Sequence, residues 1–321
     1  MLDAFGPSFS NAVQGAAMSP GPIKILLQTT IEPRQDDWAV FRFGSLAALL
    51  GEATDRHGHQ QYQVVMRDRS PPGMADPVLS AIDRSKFDQL WLFAVDTGDG
   101  LTHQECDAIS RFRRAGGGLL VTRDHMDLGS SICGLAGVGS AHYFHSRSVH
   151  PDAALRCRDD TYTTDISWPN FHSGANGDYQ IIQPIDPVHP LLQDVAPTKR
   201  RLCFLPAHPH EGGIRLPEGE DARIIAVGHS KVTGREFNIA VAFGCGPHGG
   251  RAVAQSTFHH FADYNWDIRA GCPSFVSELP GDSFSQNRQA IADTRRYVLN
   301  IAAWLGRRRT TPKPDRGAVS R

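Results

Sequence analysis

The sequence predicts an α/β domain: a mostly parallel sheet flanked by helices, with an antiparallel hairpin extension in the C-terminal half. Three observations predict it. Apolar runs of strand length, "IKILLQTT" (23–30), "YQVVM" (62–66) and "FDQLWLFAVD" (87–96), suit strands covered on both faces. A capped amphipathic segment joins the third run to a fourth, "GLLVT" (118–122), and strand, helix, strand in that order makes a parallel crossover unit. Later in the chain "RIIAVGH" (223–229), "FNIAVAF" (237–243) and "RAVAQSTF" (251–258) are separated by Gly-rich turns, the pattern of antiparallel pairing.

The elements follow in order. Residues 1–21 are rich in Gly, Ala, Ser and Pro and read as a loose arm. Trp38, Phe41, Ser45, Leu49 and Ala53 recur at helical spacing. Thr102 and Glu105 form a capping box, and Cys106, Ile109 and Phe112 give the helix behind it one apolar face. Arg111, Arg113 and Arg114 sit where a helix C-terminus favours positive charge, and Gly116 can take the left-handed stop. A closing helix over 286–305 carries Ile291, Val298, Ile301 and Leu305 on one face. Residues 307–321 form a basic, solvated tail. The expected organisation is one domain over 22–306 between an arm and a tail.

Composition narrows the function. The 321 residues carry a net charge of −1, which makes no general case for nucleic acid or an anionic membrane as partner. No apolar run approaches the ~20 residues of a membrane span. The first residues lack the basic start and apolar core of a secretory signal, so the expected location is cytoplasmic. The six cysteines are scattered without a C-x-x-C pair, as expected of reduced thiols rather than disulfides or a structural zinc site. The 15 histidines, by contrast, cluster.

Ligands of open parallel sheets bind beyond the carboxyl ends of the strands. Those ends carry Asp96, Thr97 and Asp99 after the third strand and "RDHMDLGSS" (123–131) after the fourth. The last hairpin ends in "STFHHFADYN" (256–265). Asp96 and Asp99 also suit capping of the next helix. His259 and His260, being adjacent, face opposite sides of a continuing strand and serve one site only if the chain bends. If it turns helically after Phe258, Asp263 falls within reach of either imidazole as an orienting carboxylate. His142 stands in an aromatic-rich stretch, and His172, His208 and His210 lie in Pro/Gly-rich loops. Imidazoles with carboxylates suit zinc, iron or manganese and equally metal-free acid–base work. There is no G-x-G-x-x-G after a strand and no P-loop, so no nucleotide cofactor is expected.

The segment "FDQLWLFAVDTGDGLTHQECDAISRFRRAGGGLLVTRDH" resembles the core of the class I glutamine amidotransferase-like superfamily, a flavodoxin-like fold, and within it the trehalose-utilisation (ThuA-like) proteins. "DPVHPLL" and "FGCGPHGGRAVAQSTFHH" resemble two further segments of that family. The resemblance spans roughly residues 22–305 and departs at one point. Where amidotransferases place a nucleophilic cysteine, directly after the fourth strand, this chain has Arg123, Asp124 and His125, and Cys133 comes only later. Glutamine hydrolysis needs that thiolate and is not expected. ThuA-like proteins also lack the cysteine and often carry histidine near that turn, which fits His125; the resemblance to them implies small, polar, sugar-related substrates.

The resulting expectation is an enzyme acting on a small polar metabolite by hydrolysis or a lyase/isomerase step. Asp124, His125, Asp96 and Asp263 are its expected catalytic or orienting groups. His125, His259 and His260 would ligate a divalent metal, and Thr97, Arg123, His142, His172 and Asn265 would contact substrate. The superfamily makes a homodimer the assembly to look for. The competing expectation is a binding or scaffold domain that has lost its chemistry.

Overall fold

The computed structural model describes residues 21–152, 170–195, 197–246 and 249–306. The tail expected over 307–321 and all but the last residue of the arm expected over 1–21 lie outside the described residues.

Strands β1 (Ile23–Thr29), β2 (Tyr62–Arg67), β3 (Gln89–Phe93) and β4 (Gly118–Thr122) are the four apolar runs of the first half. Two-residue β5 (Asn170–Phe171), β6 (Tyr179–Ile181) and two-residue β7 (Gln183–Pro184) follow, then β8 (Phe204–Pro206) and β9 (Glu211–Gly212). β10 (Ala222–His229), β11 (Glu236–Phe243) and β12 (Ala252–Gln255) are the later runs. Eight strands form one sheet in the order β2-β1-β3-β4-β12-β11-β10-β7. Its first five members are mutually parallel, which is the flavodoxin-like strand order with β12 as fifth strand. β11, β10 and β7 extend it by antiparallel pairing. The short pairs β5–β9 and β6–β8 are separate antiparallel ribbons.

The helices are α1 (Gly44–Gly51), α2 (His103–Arg114), α3 (Asp263–Trp266), α4 (Ser283–Gln286) and α5 (Arg288–Leu305). α2 starts at the expected capping box, with Glu105 N–H donating to Thr102 Oγ1 and Thr102 N–H to the Glu105 carboxylate. Losing such a cap typically costs about 1 kcal/mol. The sheet carries a core on each face. β3 shows why, since alternate side chains of a strand point opposite ways. Trp91 and Phe93 join Phe258, Tyr297 and Ile301 of α5 on one face. Leu90 and Leu92 join Ile109 and Phe112 of α2 on the other. Among the described residues no helix is long and apolar enough to cross a membrane.

Two details bring the chemistry-bearing residues together. β12 lies parallel beside β4, so both chains leave the sheet at the same edge. Phe258 N–H then donates to Arg123 O (2.9 Å), tying the two exits by their backbones.

Candidate metal centre

After β4 the chain makes a tight elbow. Asp124 N–H donates to Leu128 O (3.2 Å) and Leu128 N–H to His125 O (3.0 Å). Met126 takes the left-handed region at φ 49°, uncommon for a residue with a side chain and often met at functional sites. The elbow turns the Asp124 carboxylate inward, where it is 2 % exposed.

Beyond β12 the strand gives way to a 3₁₀ turn, Phe258–His260, capped by Thr257 Oγ1 accepting from His259 N–H (3.1 Å). Successive side chains of such a turn diverge by about a third of a revolution, so the neighbouring histidines part. His259 points to the Asp124 carboxylate, with Nε2 3.8 Å from Oδ2. His260 points into the interior. There its Nε2 meets Glu211 Oε1 at 3.1 Å and its Nδ1 meets the Gln255 amide at 2.6 Å.

The third member is His208, on the loop between β8 and β9. Its backbone is pinned by reciprocal bonds with Ser173, and its Nε2 lies 3.1 Å from Asp124 Oδ1. The His208 and His259 rings stack, with centroids 3.6 Å apart and an 11° angle between planes. One ligand atom from each of Asp124, His208 and His259 lies within 4.8 Å of the other two, and all three residues are buried.

The hydrogen-bond network fixes which ring nitrogens carry protons. Asn265 Nδ2 lies 3.0 Å from the carbonyl of Ala207, an obligate acceptor, so that atom is the amide nitrogen. Asn265 Oδ1 is then what faces His259 Nδ1 at 2.8 Å, and His259 donates through Nδ1–H. Asn265 Nδ2 also donates to Asn176 Oδ1 (2.9 Å). That oxygen must in turn accept from His208 Nδ1–H (3.0 Å). Both imidazoles thus carry a proton on the outer nitrogen and turn Nε2 towards the same carboxylate. Burial, with His259 alongside, drives the His208 pKa well below the usual histidine value, so the ring stays neutral. Burial pushes the Asp124 carboxyl up, but the groups beside it, His125 foremost, hold it well below its usual range. With both rings in the neutral form, two lone pairs and a carboxylate would face one another in the interior, an arrangement that a cation among them relieves. Carbonyl-type acceptors behind ligand histidines are the usual outer support of metal sites, so the donor set fits a divalent ion.

A cleft of about 340 Å³ opens over this group. Trp38, Val95, Leu128, Phe275 and Val276 give it apolar walls, and Asp37, Asp124 and Glu278 are its acidic groups. No Lys or Arg lines it among the described residues. His125 is the more accessible imidazole, with an 18 % exposed side chain and Nδ1 3.3 Å from Asp124 Oδ2. His210 packs edge-on to both His125 and His208, and Glu278 Oε1 holds its Nε2 at 2.9 Å.

The other expected site residues are distributed differently. Asp96 is buried and accepts from Gly98 N–H and from the Ser131 backbone and hydroxyl; it ties β3 to the next turn and does not line the cleft. Asp263 accepts from Gly44 N–H (2.9 Å) and Ser45 N–H (2.8 Å), so it caps α1 rather than orienting a histidine. Arg123 and His142 are fully buried behind the elbow, out of reach of a cleft ligand. His260, expected as a ligand, serves the Glu211 network instead. Thr97 is exposed at the end of β3, with its hydroxyl bonded to Asp99. His172 lines a neighbouring cavity that shares Ser277 and Glu278 with the cleft. Asn265 is buried and supports His259 from behind. Sequence reasoning left His208 as one loop histidine among several and passed over Asn176 and Glu211. The only local signal was "LPAHPHEGG", with two histidines and a glutamate within four residues.

Fold and site together define a flavodoxin-like α/β protein with a buried Asp/His cluster at the carboxyl edge of its sheet. No family model matches the chain, and no curated protein matches it. Among solved structures it is similar to a ThuA-like protein from Bacteroides uniformis, at 11 % identity over 91 % of this chain and 94 % of that one, TM-score 0.43. It is similar to another from Parabacteroides merdae, at 14 % identity over 82 % and 96 %, TM-score 0.43. It is also similar to Agd3, a carbohydrate deacetylase, at 10 % identity over 78 % of this chain and 30 % of that one, TM-score 0.38.

Proposed function

We propose that the protein is a metal-dependent enzyme, of hydrolase or lyase/isomerase type, acting on a small, polar, uncharged and sugar-related substrate. The observation that carries this reading is the proton arrangement. His208 and His259 are locked through their Nδ1–H groups by Asn176 and Asn265, with both Nε2 atoms turned to the Asp124 carboxylate. A divalent ion held there supplies a Lewis acid for a carbonyl or lowers the pKa of a bound water. The remaining steps belong to the chain itself. His125, exposed to the cleft and backed by Asp124, takes a proton from the attacking or enolising group and returns it. His210, held by Glu278, faces His125 as a second proton carrier. The sugar-related class rests on the ThuA-like motifs. The preference for uncharged molecules rests on the cleft's carboxylates, since a phosphorylated substrate would meet repulsion and no cationic side chain.

The test is elemental analysis of protein purified without added metal, beside His208→Ala and His259→Ala. Close to one equivalent of a transition metal in the parent, lost in both variants, is expected. Less than about a tenth of an equivalent, with none taken up on dialysis against zinc, iron or manganese, refutes the reading.

A further inference from the structure

Behind the elbow, on the side away from the cleft, lies a second polar group that the proposed chemistry does not use. Arg123 is 0 % exposed. Its terminal nitrogens donate to the backbone carbonyls of Tyr143, Gly213 and Met126, and the face of the guanidinium rests on Phe144, 4.2 Å from the ring centroid. All of these partners are neutral. Among the described residues no carboxylate forms an ion pair with it, and its Nε–H has no acceptor.

Two further side chains converge there. The His142 ring lies 6.3 Å, centroid to centroid, from Phe144, the ring on which the Arg123 guanidinium rests. His142 is 0 % exposed, and neither ring nitrogen has a hydrogen-bond partner among the described residues. Asn170 stands opposite Gly212 in the β5–β9 ribbon, and directly opposed residues of an antiparallel pair project to the same side. That side is known, because a Cβ on Gly212 would sit 2.5 Å from the Arg123 guanidinium carbon. Asn170 is 2 % exposed, and neither amide atom has a partner among the described residues. Five buried polar atoms on three residues thus stand unpaired around one buried positive charge.

Leaving such atoms unsatisfied is destabilising, and native interiors rarely leave groups of them so. The unmet need is mainly for an acceptor: Arg123 Nε–H, the Asn170 amide hydrogens and the one N–H of a neutral His142. Burial, reinforced by the Arg123 charge, keeps His142 neutral. Water would satisfy geometry without balancing charge. We propose that Arg123, His142 and Asn170 enclose a structural site for a small inorganic anion of the halide class. An anion there offsets the Arg123 charge one residue from Asp124, leaving the Asp124 carboxylate to a cation.

The site does not depend on the metal reading and can be tested apart from it. The full chain is melted at constant ionic strength while sodium gluconate is exchanged for sodium chloride or bromide. A saturable rise in Tm is expected, following the logarithm of one plus ligand over Kd. Asn170→Leu and His142→Phe should lose it, and the metal-ligand variant His208→Ala should keep it. Crystals grown in bromide should show an anomalous peak between Arg123 Nε, His142 and Asn170. A non-saturating rise equal in parent and variants would be a general salt effect and would overturn the proposal. So would density there that refines as water without anomalous signal, a result that stands even if both variants fail to fold.

Discussion

Asn265→Ala tests whether the histidine lock matters. The substitution removes the acceptor of His259 Nδ1–H and the two bonds donated to Asn176 and Ala207. His259 can then place its proton on Nε2 or swing, and a protonated Nε2 offers no lone pair. Loss of such outer support typically weakens metal binding 10–100-fold, about 1.4–2.7 kcal/mol at 1.36 kcal/mol per decade. Three neutral hydrogen bonds at about 0.5–1.5 kcal/mol each put the cost to folding at about 1.5–4.5 kcal/mol. A domain of ordinary stability, about 5–15 kcal/mol, survives that loss. The assay is competition of apo-protein against a chromophoric chelator for zinc, with urea unfolding of the apo forms as control. Wild-type zinc affinity in a folded Asn265→Ala variant would refute the lock, and with it the main support for a metal at this position.

Two further outcomes follow from the same structure. Asp263→Ala removes two bonds at the start of α1 and should lower stability by about 1 kcal/mol with metal affinity unchanged; a fall in affinity would restore Asp263 as a supporting ligand. Burial, aided by Arg223 and Arg251, pushes the His189 pKa down to about 4 from 6.5. The fold therefore holds this ring neutral while the unfolded chain protonates. Its contribution is complete above the unfolded value and is lost as pH falls from 6.5 towards about 4. His189→Asn keeps a cap for Leu191 N–H without titrating, so its urea midpoint should fall less between pH 7 and pH 5 than the parent's. Equal slopes would show that His189 does not carry the effect.

The parallel half of the sheet was readable because strands buried on both faces leave continuous apolar runs, and α2 because its cap is local. The elbow could be located for the same reason, as the end of "GLLVT". His259 and His260 could be placed at that edge but not told apart, because the 3₁₀ turn that separates them leaves no periodic trace. Counting helically to Asp263 failed for a related reason: Ala262 is extended, at φ −75° and ψ 140°, so the turn stops and restarts. The residue brought round to His259 is Asn265. His208 and Asn176 come from loops whose positions are set by long-range backbone bonds, which composition and spacing do not encode.

The strand order also determines how two copies could meet. One border of the sheet is β7, only two residues long, and one of them is Pro184, which has no N–H to offer. That border gives an incoming strand almost no ladder to extend, a common safeguard against edge-to-edge aggregation. The opposite border, β2, runs for six residues with no strand on its outer flank among the described residues. Any assembly built by continuing this sheet from one molecule into the next would have to form there, three strands away from the β4 end that carries Asp124.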